Sequence, residues 1–447
     1  MKIIQSFWGG RNKSIKNNYG WADYKSHWLS WMFSCYQLRK FYNQVELYTD
    51  EFGYDVLIRQ LNLPYTKVHV ILDDLNELPG ELWAMAKIKV YSLQNEPFLH
   101  VDGDVFIFEP FSEELLKAEL IAQNPEKTTK YYSEMWNNIH NNLLYMPEEI
   151  LDYHRGKHQS AYNMGIFGGN DINFFKRYTQ IASDFVYTNK NVWDKINLFN
   201  FNVFFEQVLF CECAYKENKQ VEVLIHDEIG DNDYIGFGDF DSVPETRTYL
   251  HLLGVFKTDS ITCSKMFQYC WYNHPEWINK LLDITSPNHQ EYTKFRYSKT
   301  ENEDLVKWYS QHIDTETEIT NKRLLARDLF TYEQVRKIDQ YHQHNIDYEI
   351  ILLPEIVINQ DTEKFKLYTK ELGDDNFVRE MDQMDEVIFY ELNSPKRKSE
   401  LYNAIICRFE EEPSDEEKAE FQTILYKLLR HYIGMKVLAV KHDEYTH

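Results

Sequence analysis

The sequence predicts an α/β fold: a mixed sheet flanked by helices over residues 1–285, a helical connector over 286–345 and a small α+β module over 346–447. Three observations predict it. Short apolar runs alternate with helix-periodic stretches through the first 120 residues, which is how βαβ units read. Near residue 286 the composition turns polar and stays helix-periodic. The 447 residues also exceed a single domain, at roughly 150 residues per domain.

Taken in order, KIIQSF reads as a first strand. Trp28, Trp31, Met32, Cys35 and Leu38 recur at spacings of three and four, one apolar stripe on a helix. VELYTD and YTKVHVIL read as the second and third strands, and ELWAMAKIKVYSL as the next helix. NEPFLHVDGDVFIFEPF is an apolar strand broken by two acids and a glycine. Mixed elements follow to about 285, with an acidic loop, DEIGDNDYIGFGDFDSV, and a strand-like TYLHLLGVFK. In the connector, Thr331 caps a helix with Gln334 reaching back, a capping box. EIILLPEIVI and EKFKLYTKEL then read as paired strands, and LYNAIICRF as helix. In the last helix Ser414 and Glu417 form a second capping box, and Phe421, Ile424, Leu425, Leu428 and Leu429 the buried stripe. Gly434 marks its end, KVLAV resumes as strand, and EEEPSDEE places acids at the positive end of the helix dipole.

Charge and cysteine usage exclude several functions. With 48 Lys and Arg against 71 Asp and Glu the net charge is −23, so the chain repels nucleic-acid polymers. A local cationic site for one nucleotide remains compatible with that average. Six scattered cysteines fit reduced thiols in the cytoplasm, and Cys211 with Cys213 lacks the spacing of a zinc site. MKIIQSFW is too short and too aromatic for a signal peptide, and no run is long enough to span a membrane.

The chemistry concentrates in FLHVDGDVFIF. Two carboxylates one residue apart point the same way from an extended backbone, so Asp102 and Asp104 can share one divalent cation, with Gly103 admitting a diphosphate. Hard oxygen donors suit Mn²⁺ or Mg²⁺. The acidic pairs at 231–233 and 239–241 lie in a loop and read as solvated turn acids. The pair at 102–104 differs in standing at the carboxyl end of an apolar strand, where open α/β sheets bind ligands.

DGD after an apolar strand, with HLLGVFK about 150 residues later, resembles the nucleotide-sugar glycosyltransferases of the GT-A (Rossmann-like) fold, family 8 above all. The resemblance implies that Asp102, Asp104 and His251 hold Mn²⁺ (or Mg²⁺) and that Gly254 and Lys257 contact the donor diphosphate. It carries Lys87 onto a basic donor-binding position, Asn163 and Gly165 of YNMGIFGG onto the Asn-x-Gly that touches the donor sugar, and Glu206 with Gln207 onto the family's Asp-Gln near sugar and acceptor. Two departures stand out: SFWGG replaces a polar loop after the first strand, and Glu206 replaces an aspartate. Each residue also has an ordinary structural explanation. His251 fits a hydrogen-bonded structural histidine, Lys87 a solvated helix lysine, Asn163 a turn cap with Gly165 supplying positive φ, and Glu206 with Gln207 a polar helix face. Trp8, Trp21 and Tyr162 read as core, with some aromatics available as a sugar platform.

The implied activity is transfer of a hexose from a UDP-sugar to a nucleophile, with retention of anomeric configuration. The module at 346–447 resembles the winged-helix-like peptide-recognition elements of enzymes that modify ribosomal peptides. That would make the acceptor a Ser, Thr or Cys side chain of a precursor peptide bound by this module. A cell-surface glycan or lipid is the alternative acceptor, and a dimerisation or capping role the alternative for the module. The competing classes are a metal-dependent nucleotidyltransferase or phosphohydrolase, in which HLLGVFK has no role, and a non-catalytic sugar-binding scaffold.

Overall fold

The computed structural model describes residues 1–447 except 12, 128–129, 159, 231–232, 286–297, 315–317, 362–363, 371, 373–374, 410–412 and 442–447. Two compact units divide it: Met1–Phe267 with Lys280–Asn288, and Gln268–Asn279 with His289–His447.

In the first unit the strands are β1 (Lys2–Phe7), β2 (Val45–Thr49), β3 (Lys67–Val70), β4 (Phe98–Val101), β5 (Val105–Ile107), β6 (Leu120–Lys127), β7 (Ser160–Gly169), β8 (Val221–Val223), β9 (Ile229–Gly230) and β10 (Tyr249–His251). Eight of them form one mixed sheet, ordered β3-β2-β1-β4-β7-β6-β8, with β9 pairing with β6. β1, β2, β3 and β4 are mutually parallel, and β7 runs antiparallel to both β4 and β6. Alternate side chains enter different cores, as a pleated strand requires. Ile4, Phe98, Leu120, Ala122 and Phe167 join one cluster, whereas Ile3, Leu99, Val101, Ile121 and Ile166 join another. The sheet is therefore covered on both faces.

Helix α1 (Tyr24–Phe41) starts where the Asp23 carboxylate accepts from the Lys25 and Ser26 amides, and carries Arg39 and Lys40 in its last turn. The stripe from Trp28 to Leu38 is buried as expected, but nearly every residue between Ser26 and Leu38 is buried with it. The segment FLHVDGDVFIF is not one strand. Residues 102–104 form a turn, and β5 leaves the main sheet to pair antiparallel with β10. TYLHLLGVFK likewise stops being strand at His251 and re-forms as the short helix Val255–Thr258.

The second unit contains the helices Lys299–His312 and Asn321–Gln343 and strands β11 (Glu349–Leu352), β12 (Ile356–Asp361), β13 (Lys364–Lys370), β14 (Asp375–Glu380), β15 (Lys396–Arg397) and β16 (Leu438–Lys441). They form two three-stranded sheets, β15-β11-β16 and β12-β13-β14. EIILLPEIVI is thus two strands in different sheets. Pro354, which has no N–H for a ladder, lies at the break. The Thr331–Gln334 capping box is corrected too. Thr331 lies inside the helix, the cap is Thr320, which accepts from the Arg323 amide, and Gln334 instead accepts from the Val440 amide at 2.7 Å. The Ser414–Glu417 box forms as read, and Phe421, Leu425 and Leu429 are buried, whereas Ile424 is exposed. Asp415, Glu416 and Glu417 fill that helix's first turn, while residues 410–412 of the acidic run, like Asp231 and Asn232 of the first acidic loop pair, lie outside the described residues. All six cysteines are free. No helix among the described residues is long and apolar enough to cross a membrane.

Candidate functional site

The turn that breaks FLHVDGDVFIF builds the site. The Asp102 amide donates to the Gly165 carbonyl on β7 at 2.9 Å, and the Val105 amide closes the turn onto the Asp102 carbonyl at 3.1 Å. Asp102 and Asp104 therefore converge by turn geometry and not, as the sequence suggested, by sharing one side of an extended strand. Pairing of β5 with β10 sets His251 opposite Val105, and the Leu252 amide donates to the Asp104 carbonyl at 3.0 Å. In this way the ladder carries His251 to the acidic turn. One ligand atom from each of Asp102, Asp104 and His251 lies within 4.8 Å of the others.

Neighbouring groups fix the histidine. The Gln123 side-chain oxygen lies 2.7 Å from His251 Nδ1 and accepts from the Tyr249 hydroxyl at 2.6 Å, while its Nε2 donates to Asn124 at 3.0 Å. With Gln123 accepting, Nδ1 carries a proton, and Nε2 faces Asp104, 3.5 Å away, where it can bind a cation whenever it is unprotonated. Two carboxylates converging in a buried place repel one another unless cations offset them, and here Lys87 and Lys257 stand against them. The donor set fits Mn²⁺ or Mg²⁺ on chemical grounds.

Two lysines balance the acids. Lys257 contacts Asp104 at 2.5 Å, and Lys87 contacts Asp102 at 2.9 Å and Glu206 at 3.2 Å. Burial would raise the Asp104 carboxyl, but Lys257 and His251 outweigh it and hold Asp104 well below the usual carboxylate range. At Asp102 burial prevails over Lys87 and raises the carboxyl. The Lys87 ammonium is depressed by burial but lifted further by Asp102 and Glu206, so it stays charged. Lys87 is therefore not a solvated helix lysine. Glu206 is fully buried in the π-helical segment Phe204–Val208, and neither carboxylate oxygen accepts a well-aligned hydrogen bond. Burial pushes its carboxyl up to about 7, against the pull of Lys87. Short π-helical insertions are frequent at functional sites.

The three glycines have distinct reasons. A side chain at Gly103 would meet the Trp31 indole at 2.5 Å, and one at Gly165 would meet Gln123 at 2.2 Å and the His251 ring at 2.5 Å. Gly165 lies within β7 and does not supply the positive φ suggested for it. That conformation belongs to Gly254, with φ of +51° and open space around it, at the start of the helix carrying Lys257.

Around the metal-type cluster lies a polar group that the motifs did not reveal. Asn163 donates to Glu126 at 3.3 Å and to the Tyr234 hydroxyl at 3.0 Å, and its oxygen accepts from the Gly165 amide at 2.9 Å. The hydroxyls of Tyr132 and Tyr234 both donate to Glu126, and Tyr132 also reaches Gln207 at 3.1 Å. Glu126, Gln123, Tyr132 and Tyr234 were missed. The available signal was the run Gln123, Asn124 and Glu126, polar residues at the carboxyl end of a buried strand that runs parallel to β4. Trp21 is buried, while Trp8 and Tyr162 are half-buried.

Residues 1–284 match the model of a family described as a family of unknown function, DUF6734, and the chain belongs to that family. No curated protein matches it.

Proposed function

We propose that this member of DUF6734 is a metal-dependent glycosyltransferase of the GT-A type that moves a hexose from a UDP-sugar to an acceptor nucleophile. The observation that supports it most is the convergence of Asp102, Asp104 and His251 within 4.8 Å, flanked by two lysines, at the carboxyl end of β4. The resemblance of DGD and HLLGVFK to family 8 glycosyltransferases supports it independently.

Asp102, Asp104 and His251 Nε2 would hold Mn²⁺ or Mg²⁺, which when bound supplies a Lewis acid for the diphosphate oxygens. Lys257, on a flexible stem and one-third exposed, moves from Asp104 to a phosphate oxygen and offsets the charge that grows as the sugar–phosphate bond breaks. The bond electrons leave with UDP, the acceptor heteroatom bonds to the anomeric carbon, and the acceptor proton passes to a base or to water. Glu206, held near neutrality, is suited to orient the acceptor or to stabilise positive charge on the sugar. Asn163, Gln207 and Glu126 form, with Tyr132 and Tyr234, a polar network that can exchange hydrogen bonds with sugar hydroxyls. Retention of configuration is what the family 8 resemblance implies, and a precursor-peptide side chain as acceptor is what the separate resemblance of the module at 346–447 to peptide-recognition elements implies.

Thermal-shift measurements with UDP, GDP and CMP, each with and without Mn²⁺, test the reading. Stabilisation by UDP only when Mn²⁺ is present, lost in Asp104→Ala, is the expected result. No response to any nucleotide would leave the chain a scaffold.

A further inference from the structure

His27 is a buried group that none of the roles above uses. Its side chain is 4% exposed, and both ring nitrogens are buried with no hydrogen-bond partner. The ring is enclosed by aromatics, with centroids at 4.6 Å from Tyr19, 4.6 Å from Trp28, 5.9 Å from Phe7 and 6.5 Å from Trp21. Packing alone would favour phenylalanine at such a place. A buried imidazole that makes no hydrogen bond forgoes both its donor and its acceptor, and that calls for a reason.

Helix α1 supplies the reason through its face. Ser34 Oγ donates to the Asp102 carbonyl at 3.3 Å, and the Trp31 indole fills the space beside Gly103. His27, Trp31 and Ser34 stand at i, i+4 and i+7, so they share one stripe of the helix. Ser34 and Trp31 thus line the Asp102–Gly103 turn, and His27 continues their stripe one turn toward the start of the helix. The charges of Lys257 and Asp104 act on the ring, Lys257 the more strongly of the two, and burial before either keeps the ring neutral, with a pKa lowered to about 3. The segment that leads into this helix is also tied to Lys257. The Ala22 amide donates to the Lys257 carbonyl at 2.7 Å, and the Lys257 ammonium lies 6.0 Å from the Trp21 ring centroid.

We propose that His27 is a further diphosphate-binding residue, a neutral N–H donor to a phosphate oxygen of the metal-bound nucleotide, in an inference that rests on the donor-site reading above. In the present structure the Lys257 ammonium occupies the Asp104 carboxylate. A dication held by Asp102, Asp104 and His251 would compete with that ammonium for the Asp104 carboxylate, and release of the Lys257 side chain would open an approach to the His27 ring. A neutral imidazole suits the task because it donates without adding a cation that would compete with the metal. The aromatic walls keep water from the bond, which raises its worth.

Calorimetric titration of the full chain tests this with two probes, UDP with Mn²⁺ and inorganic pyrophosphate with Mn²⁺. His27→Phe should melt at or above the wild-type temperature without ligand, because it removes two unpartnered buried nitrogens. It should bind both probes roughly ten- to a hundredfold more weakly, the size of one lost hydrogen bond to a charged group. His27→Gln, which keeps an N–H donor, should recover most of that loss, and His27→Leu serves as the apolar variant if His27→Phe does not fold. Unchanged affinity for both probes in an apolar variant overturns the role of His27 while leaving the donor site standing. A loss confined to UDP moves the contact to the nucleoside and also overturns it. If the wild-type chain binds neither probe, the donor-site reading fails and this inference falls with it.

Discussion

Burial pushes the Glu206 carboxyl up to about 7, although Lys87 stands 3.2 Å away. A folded-state pKa above the unfolded value favours the protonated form. The stability it brings is fully present below about pH 4.5 and is lost as pH rises through about 7. Asp104 has the opposite sign, since its depressed carboxyl adds stability above its ordinary pKa that is lost on acidification below it. Burial also raises Asp102, so the comparison of wild type with Glu206→Gln in denaturant titrations at pH 5 and pH 8 isolates Glu206. Glu206→Gln should remove a pH-dependent loss on the order of 3 kcal/mol across that interval. The same slope in wild type and variant would mean that the carboxylate is not held near neutrality. Gly165→Ala is a second residue-scale case. Its methyl would press on Gln123 and the His251 ring, so Mn²⁺ affinity, followed by paramagnetic resonance, should fall roughly 10- to 100-fold while the fold persists. Asp102, Asp104, His251 and Lys257 were legible in the sequence because they sit in compact motifs. Glu126 was not, because a lone acid in a strand has no spacing signature and its partner Tyr234 lies 108 residues away.

Elements were legible where the signal is local. β1, β2, α1 and the Ser414-capped helix follow from apolar period and capping chemistry within a few residues of each end. The failures arose where a tertiary partner decided the outcome. Nothing near residues 102–104 says that β5 will leave the sheet for β10, because that pairing closes a loop of more than 140 residues. The Thr331–Gln334 box was a motif match inside a longer helix, where Gln334 is drawn to the Val440 amide instead. The caps give a direct test. Thr320→Ala should cost about 1 kcal/mol of unfolding free energy in urea, because it strips the Arg323 amide of its acceptor at 3.1 Å. Thr331→Ala removes no cap, so any loss it shows should not be restored by moving the helix start. If Thr320→Ala is silent, the helix begins elsewhere.

At the scale of the whole molecule the −23 net charge and the proposed site pull in different directions. A protein that binds a phosphate polymer gains affinity from counterion release and loses it steeply as salt rises. This chain should behave in the opposite sense toward a small anion. The long-range field repels a nucleotide diphosphate, while the attraction resides at Lys257, Lys87 and a dication within a few ångströms, which salt screens much less. With Mn²⁺ saturating, stopped-flow association of UDP should therefore speed up as KCl rises from 50 to about 300 mM, because the Debye length shrinks below roughly 10 Å and the repulsion is screened. Dissociation should change little, so affinity should hold or improve slightly. Duplex DNA should show no binding at the low end of the same range. A steep fall in UDP affinity with salt would instead indicate an exposed cationic surface as the binding determinant. It would remove the buried Asp102–Asp104–His251 cluster from the explanation of donor binding.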